Sequence, residues 1–315
     1  MARFPDASHA VGDTPLVGLP NASPHGYELY VKLEGANPTG SVKDRVAKYL
    51  VDTAEADGRL HQGSRVLEPT SGNTGIAMAA ICAPRGYKLT CVMPENTSAE
   101  RTQLLTAYGV DIVYSPADEG SNGAVRVARE MAADDPDIVM PFQYGNPANP
   151  QAHYETTAVE ILRDVPDVAA VVAGLGTGGT LTGIGRRLEE HDPARRVYAA
   201  EPEYGDLVYG LRNLEEGFVP PVLDESVLDG RIKVDSRNAL IATRELVHRE
   251  GVFVGPSTGA AVHVARRVCQ PTRLPEGSKI VIVSPDDGWK YVSTGAYDPG
   301  DVDEVAERLQ DVLWA

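Results

Sequence analysis

Short β-branched runs with no polar face constrain this chain more than any other feature. Val66–Pro69, Leu89–Met93, Asp111–Tyr114, Ala169–Gly174, Val197–Ala200 and Lys279–Val283 are largely apolar and bounded by turn residues. Between them lie amphipathic stretches, Val42–Ala56, Asn73–Ala83, Ala99–Tyr108, Gly123–Ala132, Gln151–Arg163, Thr180–Glu190 and Ser236–Glu250. A strand without a polar face has to be covered on both sides. The alternation therefore predicts an α/β fold of mainly parallel strands with helices on each face. Right-handed crossovers then build open, twisted sheets. With 315 residues the chain has room for two such lobes. The loop Tyr144-Gly145-Asn146-Pro147-Ala148-Asn149-Pro150 is the expected boundary. It gives a smaller lobe over 40–150 and a larger one from 1–39 plus 151–315.

The charge balance removes several classes of function. A formal net charge of −16 argues against nucleic acid and anionic membranes as partners, since both call for a basic surface. An anionic substrate would need a local cation against that field. No segment approaches roughly 18 uninterrupted apolar residues, and Met1–Ala10 lacks the apolar run of a signal peptide, so a cytoplasmic protein is expected. Cys82, Cys91 and Cys269 form no CxxC pair; Cys82 and Cys91 fall in apolar stretches that suit buried thiols. The 7 histidines show no ligand spacing such as HExxH, and no metal is expected.

Lysine is scarce, 7 residues against 22 arginines. One of them, Lys43, stands in Pro38-Thr39-Gly40-Ser41-Val42-Lys43-Asp44-Arg45, where a Pro/Gly/Ser turn leads into a predicted helix. Such a junction can hold the amine in a fixed, partly desolvated position. Its pKa then falls, and the amine can form a Schiff base with an aldehyde cofactor. A solvated surface lysine is the plain alternative.

Three loops rich in small polar residues follow predicted strands, where open α/β sheets gather their ligands. Glu68-Pro69-Thr70-Ser71-Gly72-Asn73-Thr74-Gly75 offers hydroxyls, an amide and N–H groups that suit a carboxylate, or simply an N-capped helix start. Gly174-Leu175-Gly176-Thr177-Gly178-Gly179-Thr180 suits a phosphate at a helix N-terminus. It also spells GxGxxG, with Glu201 about twenty residues on, so a nicotinamide dehydrogenase is a competing class. Gly255-Pro256-Ser257-Thr258-Gly259, after the strand-like Val252–Val254, spells the GxSxG of α/β-hydrolases. Only His263 follows it, too close in sequence to complete a triad.

With these segments in order, the chain resembles the cysteine synthase and cystathionine β-synthase family of fold-type II pyridoxal-phosphate enzymes, the tryptophan synthase β-like fold. The resemblance runs from Gly12-Asp13-Thr14-Pro15-Leu16 to the C-terminus and includes Asn37–Arg45, Pro69–Gly75, Gln143–Asn149, Gly176–Thr180 and Gly255–Gly259. It is closest to the actinobacterial O-phosphoserine-dependent branch, the O-phosphoserine sulfhydrylases. Met93–Ser98, Tyr209–Asn213, Gly288–Tyr291 and the ending Leu313-Trp314-Ala315 carry that narrower match.

The resemblance implies pyridoxal 5′-phosphate as cofactor and L-cysteine as product, made when a sulfur nucleophile replaces the phosphate of O-phospho-L-serine. It implies that Lys43 holds the cofactor and serves as general base and acid, and that Asn73 bonds the pyridoxal 3′-oxygen. Gly176, Thr177, Gly178, Gly179 and Thr180 would bind the cofactor phosphate, and Ser257 would face the pyridine nitrogen. Thr70, Ser71, Thr74 and Gln143 would grip the substrate carboxylate, and Arg212 the leaving phosphate. A homodimer and a small thiocarboxylated sulfur-carrier protein are the implied partners. An O-acetylserine sulfhydrylase using free sulfide is the alternative within the family; an inactive binding protein on the same fold is the alternative outside it. Val302, Val305, Ala306, Leu309 and Val312 fall at helical spacing, so Asp301–Val312 is expected as an amphipathic helix. By resemblance, the residues after it could fold into the cleft and shield the reacting substrate from water.

Overall fold

The computed structural model describes residues 3–70, 72–97 and 99–310. The chain opens with β1 (Leu16–Gly18), β2 (Glu28–Leu33) and helix α1 (Lys43–Ala56). A βα series follows: β3 (Arg65–Pro69), α2 (Asn73–Arg85), β4 (Lys88–Pro94), α3 (Ala99–Ala107), β5 (Asp111–Ser115), α4 (Gly120–Asp134) and β6 (Ile138–Val139). Helices α5 (Ala148–Ala152) and α6 (Ala158–Asp164) lead to β7 (Val168–Gly174), α7 (Gly179–His191), β8 (Arg196–Pro202), β9 (Gly230–Val234), α8 (Ser236–Glu245), α9 (Pro256–Val268), β10 (Lys279–Ser284) and α10 (Val302–Gln310).

The strands form two sheets. One has the order β5-β4-β3-β6 and is parallel throughout. The other has the order β1-β2-β10-β7-β8-β9, in which β1 alone is antiparallel to its neighbour. The period-two rule explains why the central strands read as continuous apolar runs. Ala170, Val172, Ile280 and Ile282 face the core made with α8 and α9, while Val171, Ala173, Val281 and Val283 face the core made with α6 and α7. In the smaller sheet, Val66, Leu89, Cys91 and Met93 pack with α1 and α2, and Leu67 and Val92 pack under α4.

Each sheet contains one reversal of strand order. The chain steps from β3 to β4 to β5, then returns to β6 on the far side of β3. It steps likewise from β7 to β8 to β9, then returns to β10 on the far side of β7. These reversals are the topological switch points at which open α/β sheets bind ligands.

The six strands expected from the apolar runs all form, and four more join them. β1 and β6 are very short, and β2 and β9 carry charges that break an apolar run. Val252–Val254 is not a strand; Val254 makes only an isolated bridge to Asp287. The stretch Gln151–Arg163 is not one α-helix, because a π-helical turn at His153–Thr157 interrupts it. Close packing attends that break: a Cβ on Gly183 of α7 would lie 2.2 Å from the Pro150 carbonyl oxygen. The Tyr144–Pro150 loop is partly packed, with Tyr144 and Asn149 buried and Gly145 and Pro147 exposed. We propose the 40–150 and 1–39 plus 151–315 division from the two sheets. No helix among the described residues is long and apolar enough to cross a membrane, and no group of potential metal ligands occurs among them. Residues 311–315, including Leu313-Trp314-Ala315, lie outside the described residues, as does Ser71.

Candidate active site

Both switch points open on one cleft of about 270 Å³. Lys43, Thr70, Asn73, Thr74, Gln143, Gly176, Thr177, Arg212 and Ser257 all line it. Gly178, Gly179 and Thr180 continue the same loop into α7. Of the expected site residues only Ser71 is undescribed.

Lys43 is the first residue of α1, and the turn before it is built from close contacts. Gly40 has φ +82°, a conformation that glycine adopts without strain. The Val42 N–H donates to the Pro285 carbonyl at 2.7 Å, and Ser41 Oγ accepts from the Lys43 N–H at 3.2 Å. Two residues on, buried Arg45 donates to Glu34 at 2.7 Å and to Glu160 at 2.6 Å. Lys32 pairs with Glu160 at 2.6 Å. Two cations and two carboxylates thus compensate one another out of water, which keeps their burial tolerable and fixes the start of α1. The Lys43 amine itself makes no hydrogen bond among the described residues. Desolvation lowers its pKa and the Lys290 charge adds to that, while Asp286 opposes.

The glycine loop is shaped by near neighbours. Gly178 has φ +82°, and a Cβ on Gly179 would sit 2.0 Å from Asn149 Oδ1. Thr177 Oγ1 accepts from Asn149 Nδ2 at 3.0 Å. Thr180 Oγ1 lies 3.2 Å from His153 Nε2, whose Nδ1 meets Thr157 Oγ1 at 3.0 Å. Burial first, then the Lys43 and Arg45 charges, hold His153 well below the ordinary imidazole range, so the ring is neutral. A backbone so free of side chains at the N-terminus of a 13-residue helix suits a phosphate dianion.

Asn73 starts α2 and donates to Asp286 Oδ2 at 2.7 Å, while its carboxamide oxygen accepts from Lys290 at 2.7 Å. Tyr291 also donates to Asp286 Oδ2 at 2.7 Å. Thr74 donates to Gln143 Oε1 at 2.7 Å, which leaves the Gln143 NH₂ as the available donor. Ser257 lies buried in the first turn of α9, and its hydroxyl makes no hydrogen bond among the described residues. Arg212 donates to Ser121 Oγ at 2.7 Å and to Asn122 Oδ1 at 3.0 Å, both in the first turn of α4.

The rival motif readings find no support. The glycines of GxSxG are packing requirements. A Cβ on Gly259 would lie 2.1 Å from the Ala239 carbonyl oxygen of α8, and one on Gly255 would lie 2.3 Å from Asp286 Oδ1. Glu201 is buried and engaged. It pairs with Lys233 at 3.1 Å and accepts from the Leu214 N–H at 2.9 Å, so it is not available to a ribose.

The residues fit a phosphorylated aldehyde cofactor. An unengaged amine, an unengaged hydroxyl and a glycine-lined helix start share one region of the cleft. A family model described as "Pyridoxal-phosphate dependent enzyme" matches residues 7–286. The chain belongs to the pyridoxal-phosphate dependent enzymes. It is 42% identical over 296 residues to the probable cysteine synthase of Bacillus subtilis (strain 168), covering 90% of this chain and 94% of that protein. The crystal structure of an O-ureido-L-serine synthase matches with a TM-score of 0.88 at 40% identity, covering 95% of this chain and 97% of that one. A cysteine synthase from Entamoeba histolytica matches with a TM-score of 0.87 at 32% identity, covering 98% and 96%. The fold is therefore that of the fold-type II pyridoxal-phosphate enzymes, the cofactor is pyridoxal phosphate, and the chain is an enzyme of the cysteine synthase type.

The sequence reading assigned no role to Asp286, Lys290, His153, Ser121 or Asn122. Gly288–Tyr291 stood out only as a family match. Glu68 carries a legible signal, a lone charge inside the strand Val66-Leu67-Glu68-Pro69.

Proposed function

We propose that this enzyme makes L-cysteine by replacing the phosphate of O-phospho-L-serine with a sulfur nucleophile. The supporting observation is Arg212. Its guanidinium lines the cleft, held by two neutral acceptors, and forms no ion pair among the described residues. It also lies 5.0 Å from the Phe218 ring centroid and 5.6 Å from that of Tyr144. A cation fixed in direction but not neutralised is what a dianionic leaving group requires in a protein of net charge −16. The alternative, a surface arginine paired with Glu215 or Glu216, is not seen among the described residues, where Glu215 pairs with Lys233 at 3.3 Å.

When bound, pyridoxal phosphate withdraws electrons from the substrate Cα, which makes that proton removable and the β-substituent able to leave. The protein supplies the rest. Lys43 anchors the cofactor and, as a desolvated amine of lowered pKa, takes the Cα proton and later returns it. Thr70, Thr74 and the Gln143 NH₂ orient the α-carboxylate; Asn73 and Ser257 meet the cofactor ring, the latter with a hydroxyl rather than an acid. Gly176–Thr180 hold the cofactor phosphate, and Arg212 takes the charge of the departing one. A homodimer, a thiocarboxylated carrier protein as sulfur donor and a cytoplasmic location belong to the same reading.

The test is to offer O-phospho-L-serine and O-acetyl-L-serine separately with sulfide and compare kcat/KM. Preference for the phosphate ester supports the assignment; equal use, or preference for the acetyl ester, replaces it with an O-acetylserine sulfhydrylase.

A further inference from the structure

Glu68 is a buried carboxylate that the chemistry above does not use. It lies in β3 with no measurable exposure, and no cation pairs with it among the described residues. Its two oxygens are taken by backbone amides from the loop after β6. Oε2 accepts from the Phe142 N–H at 2.8 Å, and Oε1 from the Gln143 N–H at 2.9 Å. The contact spans the β3–β6 switch point, joining residues 74 and 75 positions apart.

What these bonds hold is otherwise unfavourable. Phe142 has φ +60°, a left-handed conformation that a bulky residue occupies only when its surroundings impose it. The Gln143 carbonyl is caught from the opposite side by Asn149 Nδ2 at 2.8 Å, and its side-chain oxygen by Thr74 at 2.7 Å. The Gln143 backbone is thereby fixed at both its N–H and its carbonyl, and its carboxamide is left with NH₂ as the available donor.

We propose that Glu68 is a positioning residue for substrate recognition. By accepting the Phe142 and Gln143 amides it holds the Gln143 carboxamide where it meets the α-carboxylate of the amino-acid substrate. This rests on the reading of Gln143 as a carboxylate ligand. A carboxylate can take both N–H groups, whereas a carboxamide has one acceptor oxygen and would turn its NH₂ toward the other amide. Losing the second bond releases the strained Phe142 turn and loosens Gln143 without touching Lys43 or the glycine loop.

The experiment compares holoenzymes of wild type, Glu68→Gln, Glu68→Asp and Gln143→Ala. Two readouts are taken: KM and kcat for O-phospho-L-serine, and the Kd of unreactive L-alanine from titration of the bound cofactor's visible absorbance. For Glu68→Gln we expect both KM and Kd to rise about tenfold or more, with kcat within about threefold and cofactor content unchanged. Glu68→Asp sets the carboxylate back by one methylene, out of reach of both amides together, so it should raise both constants by about threefold, less than Glu68→Gln. If Gln143→Ala weakens binding and Glu68→Gln does not, the proposal is overturned while the Gln143 reading stands. If Gln143→Ala leaves both constants unchanged, the Gln143 reading fails and the proposal falls with it. Should Glu68→Gln not fold, Glu68→Asp decides, since wild-type constants in that variant equally overturn the proposal.

Discussion

Lys290 donates to the Asn73 carboxamide oxygen at 2.7 Å, joining residues 217 positions apart across the cleft. The contact fixes which end of the amide points where. With the oxygen bound to an ammonium, the NH₂ must face Asp286, which it does at 2.7 Å. Lys290 is also close enough to Lys43 to lower the latter's pKa.

Replacing Lys290 by methionine should act through both routes. Loss of a charge-assisted bond to Asn73 should weaken cofactor retention by about tenfold, measured by equilibrium dialysis. Removing a neighbouring positive charge favours protonated Lys43, so its pKa rises. The proton acceptor is then lost at a higher pH, and the acid limb of the kcat profile should move upward in pH. Lys290→Arg keeps the charge and should leave that limb near its wild-type position. An unmoved limb in Lys290→Met would remove Lys290 from the proton chemistry.

Lys43→Ala should abolish turnover while the fold survives. A positioned base alone contributes about 10²–10⁴-fold, and here the cofactor anchor is lost with it. The glycine loop is a separate element, so phosphate recognition should persist and the variant should still bind added cofactor. Substantial activity without an added amine would show that another group carries the chemistry.

Arg212→Ala should separate the two ester substrates. One or two charge-assisted hydrogen bonds at about 1.5–3 kcal/mol each correspond to roughly ten- to several-thousand-fold in kcat/KM for O-phospho-L-serine. O-acetyl-L-serine offers a neutral carbonyl and should lose far less. Equal losses, or none, would mean that Arg212 is not the clamp for the leaving group.

Glu68 makes a prediction about stability. Desolvation raises its pKa from 4.5 to about 7, against the pull of the two amide hydrogen bonds. Between those values the unfolded chain has released the proton and the folded chain still holds it, so stability falls as pH rises. A shift of this size corresponds to about 3 kcal/mol for a fully buried group. Glu68→Gln lacks the titration. Urea unfolding from pH 4.5 to 8 should show wild type losing up to that amount relative to the variant by about pH 7, then running parallel above it. Parallel curves over the whole range would mean that Glu68 is already ionised in the folded protein at the acid end.

The local pattern of the sequence determined the types of the principal elements and the identity of the loops. Ala169–Gly174 and Lys279–Val283 read as buried strands because a strand covered on both faces needs no polar alternation, and the strands observed there are Val168–Gly174 and Lys279–Ser284. Gly40 and Gly178 marked turns because few other residues reach a positive φ cheaply. Lys43 stood out as a scarce lysine at a loop-to-helix junction, whereas the roles given to Asn73 and Ser257 rest on the family resemblance. Strand order was not legible, because pairing between distant segments leaves no periodic trace in either of them. Only the tertiary structure set β6 beside β3 and β10 beside β7, and with them the two switch points. That arrangement brought Arg212 onto Ser121 and Asn122, Asp286 and Lys290 onto Asn73, and Glu68 under Gln143. Each is a hydrogen bond between segments remote in the chain, formed because a buried or cleft-facing polar group must find a partner wherever the folded backbone supplies one.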